Sequence, residues 1–160
     1  MLKEELITKS PVRILEKSIE GGLMAGNIGV IASRKGIGKT SVLVQLALDK
    51  LLQGEKVIHV SFTAHTSYVI SWYENIFTEL AKRRALEHTG DVHDDLVKNR
   101  VIMNFNQEGV NTDQILRSLR AMIVDGGFAA ESVIIDGFDF TRSSPEHLAQ
   151  LAAFAKEMNL

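Results

Sequence analysis

One stretch restricts what this chain can fold into more than any other. Residues 28–45 read Ile-Gly-Val-Ile-Ala-Ser-Arg-Lys-Gly-Ile-Gly-Lys-Thr-Ser-Val-Leu-Val-Gln. Ile28, Val30 and Ile31 are short, apolar and β-branched, the composition of a strand covered on both faces. Gly36 and Gly38 give the backbone conformations that a Cβ would block. From Lys39 onward, Val42, Leu43, Leu46 and Ala47 recur at helical spacing. The order predicted is a buried strand, a turn of small and basic residues, and a helix.

Such a turn aims backbone N–H groups and the positive end of a helix at one point, where a phosphate chain is held. The residues predicted to form the cradle are Ser33, Arg34, Lys35, Gly36, Ile37, Gly38, Lys39, Thr40 and Ser41. Lys39 supplies a point charge for the β and γ phosphates, the Thr40 hydroxyl a ligand for Mg²⁺, and Arg34 further charge near the γ phosphate. The full motif begins with glycine, whereas this chain has Ser33 there, so the match is near rather than complete.

At 160 residues the chain has room for one domain with a real core. A formal net charge of -2 gives no overall attraction to nucleic acid, although a local basic groove is compatible with it. The one basic run, Lys82-Arg83-Arg84, reads as a solvated helix face. There is no cysteine, hence neither disulfide nor thiolate metal site. No apolar run reaches the ~18 residues of a membrane helix. The charged start, Met-Leu-Lys-Glu-Glu-Leu, does not read as a signal peptide, and a cytoplasmic protein without membrane partners is expected.

In chain order, residues 1–20 are expected to form a polar lead-in and a short helix capped by Ser10 and closed by Gly21 and Gly22. Residues 21–160 are expected to form the domain. Strands are predicted at 28–32, 56–62, 100–105 and 131–136, the first two parallel neighbours in one sheet through a βαβ crossover. Helices are predicted at 39–53, 67–88, 111–126 and from Pro145 onward. The aromatic stripe of the second of these, including Trp72, Tyr73 and Phe77, reads as core. Residues 90–98, with His88, His93, Asp91, Asp94 and Asp95 in or beside them, read as a charged, solvated connection. The alternation gives an α/β domain with a mostly parallel sheet.

In such sheets ligands sit at the carboxyl ends of strands. Asp136 ends the run Val133-Ile134-Ile135 and is the second predicted metal ligand, partner to Thr40. Asp139, just beyond, is a weaker candidate.

These residues carry a family resemblance. The chain resembles the core of RecA-like P-loop ATPases, a three-layer α/β fold. It is most similar to the replicative hexameric helicase (DnaB-type) and circadian-clock (KaiC-type) branches. Gly21-Gly22-Leu23-Met24-Ala25-Gly26 resembles the clock-type lead-in, residues 32–40 the helicase form of the phosphate loop, and residues 133–136 the metal-binding strand. The resemblance implies ATP and Mg²⁺ as ligands. It also implies a homo-oligomer or protein partner that completes the site. Two departures stand out. The family has a glutamate after the second strand that polarises the attacking water, whereas this chain has Thr63, Ala64 and His65 there. Loss of a positioned base costs ~10²–10⁴ in rate, so binding with weak or no hydrolysis is expected. The fifth core strand, which the family places between the metal-binding and phosphate-loop strands, is absent from residues 1–160. Three rival readings are a partitioning-type (MinD/ParA-like) ATPase, a DNA-handling motor or recombinase-like protein, and a catalytically dead nucleotide-binding module.

Overall fold

The computed structural model describes residues 1–62, 65–105 and 111–160. Three five-residue strands, β1 (Val57–Ser61), β2 (Arg100–Asn104) and β3 (Ser132–Asp136), form a parallel sheet in the order β2-β1-β3. The register sets His59 against Ile102 and Ile134, and Ser61 against Asn104 and Asp136. All five residues of β1 are buried, as a central strand with helices on both faces requires.

Side chains alternate along β1, so its two faces feed two cores. Val57 packs with helices α1 (Lys3–Thr8), α3 (Lys39–Leu52), α4 (Thr66–Arg84) and α5 (Thr89–Lys98) through Leu6, Leu48, Leu51, Tyr73, Phe77 and Leu96. Ile58 and Val60 pack with α6 (Thr112–Arg120) and α7 (Pro145–Met158) through Ile115, Leu119 and Phe154. The α/β class and the parallel sheet agree with the expectation from sequence. So does the aromatic stripe of α4: Tyr73 and Phe77 are buried and Trp72 packs against the same core.

The predicted first strand does not form. Residues 28–32 have no ladder partner among the described residues, and Ile28, Val30 and Ile31 are 41%, 55% and 38% exposed. Their β-branched character suits a strand, but a strand exists only with a neighbour. Both edges of β1 are occupied, and no backbone bond joins β3 to this segment among the described residues. The segment is instead fastened at its base, where the N–H of Gly26 donates to the carbonyl of Leu160 at 2.7 Å.

Three smaller expectations also change. The lead-in contains α1, whose Leu6 is buried, followed by α2 (Val12–Ser18). The long helix stops at Arg84, because Ala85 and His88 take left-handed conformations (φ 48° and 51°) that break its hydrogen-bond run. The charged connection is α5, an amphipathic helix with Val92 and Leu96 buried one turn apart. The helix expected from residue 111 starts at Thr112 and is capped by Asn111, with Gln114 N–H donating to the Asn111 side chain at 2.9 Å. Its last stretch, Ala121–Asp125, widens into a π-helix.

Candidate phosphate and metal site

The loop over residues 33–38 enters α3 through two residues with positive φ, Gly36 at 85° and Gly38 at 92°. A Cβ on Gly38 would lie 3.3 Å from the Ser41 hydroxyl, so both the conformation and the space favour glycine. Ser41 Oγ donates to the Gly38 carbonyl at 2.9 Å and braces the turn. None of the backbone N–H groups from Arg34 to Ser41 donates to a protein acceptor among the described residues. Those of Lys39, Thr40 and Ser41 belong to the first turn of a helix, where no intrahelical acceptor exists.

Lys39 folds back across this loop. Its Nζ donates to the carbonyls of Ser33 at 3.0 Å and Arg34 at 2.9 Å. The ammonium thereby stands over the same turn whose N–H groups are free. Ser33, Arg34, Lys35, Gly36 and Ile37 are all exposed, and Lys39 and Thr40 partly so.

The decisive contact joins the two halves of the sequence. Thr40 Oγ1 donates to Asp136 Oδ2 at 2.8 Å, across 96 residues of chain. Asp136 is 6% exposed at the carboxyl end of β3. A hydroxyl and a carboxylate at this separation are hard oxygen donors of the kind Mg²⁺ takes, and the free N–H groups beside them suit phosphate oxygens. The residues present therefore fit both groups.

Asp139 does not join this pair. Its Oδ1 accepts from Thr141 N–H at 2.9 Å, and its Oδ2 meets Arg142 Nε at 3.5 Å. The bonds from Thr141 hold its carboxyl below the usual range. Thr63 lies outside the described residues. His65 is exposed and precedes α4, its carbonyl accepting from Tyr68 N–H at 2.9 Å. Arg83 of the basic run pairs with Glu79 at 3.3 Å, as a solvated helix face does. His93 of the acidic segment pairs with Glu74 of α4 at 2.6 Å.

Two buried groups near the site carry no motif signal. Ser61 is brought beside Asp136 by register alone. His59, one layer below on the same sheet face, is fully buried and shares a 2.9 Å hydrogen bond between its Nδ1 and the Tyr73 hydroxyl. Burial pushes the His59 imidazole down to about 4.

No protein-family model matches this chain. A stretch of 47 residues is 40% identical to DNA repair protein RadA of Aquifex aeolicus (strain VF5). The match covers 29% of this chain and 10% of RadA. Among the described residues no helix is long and apolar enough to cross a membrane.

Proposed function

We propose that residues 21–160 form a RecA-like P-loop domain that binds ATP with Mg²⁺ and hydrolyses it slowly or not at all unless another chain completes the site. The observation that carries this reading is the 2.8 Å contact between Thr40 and Asp136, beside a loop whose N–H groups have no acceptor among the described residues. Lys39 leaves the carbonyls of Ser33 and Arg34 for the β and γ phosphates. The N–H groups of Arg34 to Ser41 cradle the chain, Arg34 adds charge, and Thr40 and Asp136 hold the metal. The cation neutralises charge between the phosphates. The DnaB-type and KaiC-type resemblance supports a cytoplasmic regulatory or assembly-dependent ATPase that works with copies of itself or with a protein partner. In this reading the fifth strand that the resemblance implies pairs with the open edge of β3 on one side and with residues 28–32 on the other.

A second reading, a catalytically silent nucleotide-binding module, is favoured by the lack of any carboxylate among Thr63, Ala64 and His65. Titration calorimetry with ATP and Mg²⁺ tests the shared claim: the chain binds, and Lys39→Ala abolishes binding with an unchanged circular-dichroism spectrum. Equal affinity in the variant refutes the site. Phosphate release then separates the two readings, since measurable turnover on adding a partner excludes the silent module.

A further inference from the structure

The three strands end in one polar row. The register sets Ser61 of β1 between Asn104 of β2 and Asp136 of β3. The row beneath it on the same face is Ile102, His59 and Ile134. Residues two apart along a strand share a face, and so do partners in register. That face is the one turned to α3 and α4. Ile102 and Ile134 pack against their core, His59 is bonded to Tyr73 of α4, and Asp136 accepts from Thr40 of α3. Ser61 therefore stands next to Asp136 on the metal side of the sheet, one strand spacing away, about 4.8 Å.

Ser61 is 0% exposed. A hydroxyl is costly to bury and fills little more space than the alanine methyl group. Its backbone is held from both sides. The Phe105 N–H donates to the Ser61 carbonyl at 3.0 Å, and the Phe62 N–H donates to the Asp136 carbonyl at 3.0 Å. These bonds carry both ladders of β1 up to the site, so Ser61 and Asp136 keep a fixed spacing.

We propose that Ser61 is a positioning residue for the metal assigned to Thr40 and Asp136; the inference rests on the nucleotide reading above. Mg²⁺ takes a near-octahedral set of oxygens and keeps several waters among them. Thr40 and Asp136 leave the rest of that set to phosphate oxygens and water. The Ser61 hydroxyl, one strand over from Asp136, accepts a hydrogen bond from such a water and fixes which corner it takes. Groups that orient the ligands of a metal in this way contribute about 10–100-fold to its affinity.

Titration calorimetry of the full chain with ATP, with and without Mg²⁺, tests this on wild type and Ser61→Ala. The expected result is a gain in ATP affinity from Mg²⁺ that is about tenfold smaller in the variant. Metal-free ATP affinity and the circular-dichroism spectrum stay unchanged. Ser61→Cys, which keeps the side-chain volume but bonds water weakly, is expected to show the same loss. A wild-type Mg²⁺ gain in either variant overturns the proposal. So does an equal fall in metal-free affinity, which marks a packing defect. A wild-type chain that binds ATP and gains nothing from Mg²⁺ overturns the metal assignment itself, and this inference with it.

Discussion

His59 makes the acid stability of this fold a single-residue measurement. The ring is fully buried in the central strand, and burial lowers its proton affinity from 6.5 to about 4. The neighbouring charges oppose one another, Asp136 raising the value and Arg100 lowering it, so desolvation dominates. The folded imidazole is thus the weaker base. Between pH 6.5 and 4 the unfolded chain takes up a proton that the folded chain refuses, and stability falls as pH falls. Above pH 6.5 neither state is protonated and the effect vanishes. At 1.36 kcal/mol per pH unit, the full separation is worth about 3 kcal/mol below pH 4, and about 2 kcal/mol of it is already lost at pH 5. Carboxylates titrate in the same range, so the quantity to measure is the difference between wild type and His59→Leu in urea unfolding. The wild-type midpoint should fall by about 1 M more than the variant's between pH 7 and pH 5, for a slope near 2 kcal/mol/M. The variant also leaves the Tyr73 hydroxyl without its partner, an offset of about 1–3 kcal/mol that does not depend on pH in this range. Parallel pH profiles for the two proteins would show that the ring is solvated in solution and that the buried-core account of β1 is wrong.

Three further outcomes follow from burial and from the site. Leu51→Ala removes a side chain 1% exposed between α3 and its neighbours and should cost about 2–5 kcal/mol, read as a lower urea midpoint. Asp136→Asn should abolish the gain in ATP affinity on adding Mg²⁺, a change of at least about tenfold by calorimetry, while binding without metal persists. Val30→Ser should change the stability of this chain by no more than about 0.5 kcal/mol, since the side chain is 55% exposed. A loss of 2 kcal/mol or more by urea unfolding would show that residues 28–32 are paired in solution.

Three strands were legible because each is a run of apolar, mostly β-branched residues bounded by polar ones, and each found neighbours with the same pattern. That Thr40 and Asp136 come together was legible because the phosphate and metal site proposed for them takes a hydroxyl from the first turn of a helix and a carboxylate from a strand end. α5 was not, because only Val92 and Leu96 among its ten residues face the core, too few to show a helical period among five charged or histidine side chains. His59 was hidden for a different reason: nothing local distinguishes a core histidine from a solvated one, and its partner Tyr73 is brought to it only by the packing of α4 on the sheet.

The first strand is the instructive failure, because the loop it was expected to position is nevertheless in place. Residues 28–32 pair with nothing described, yet Thr40 reaches Asp136. The helix therefore does the positioning. Val44, Ala47, Leu48, Leu51 and Leu52 of α3 are buried in the core that also holds Val57, and α3 packs against β1 and β3. That packing fixes where the first turn of α3 stands relative to the end of β3, whatever precedes it. The turn over residues 33–38 is then a consequence of helix docking plus two glycines with positive φ. The order of dependence runs from the α3 core to Thr40 to Asp136. It implies that substitutions inside α3 loosen the Thr40–Asp136 contact before substitutions in residues 28–32 do.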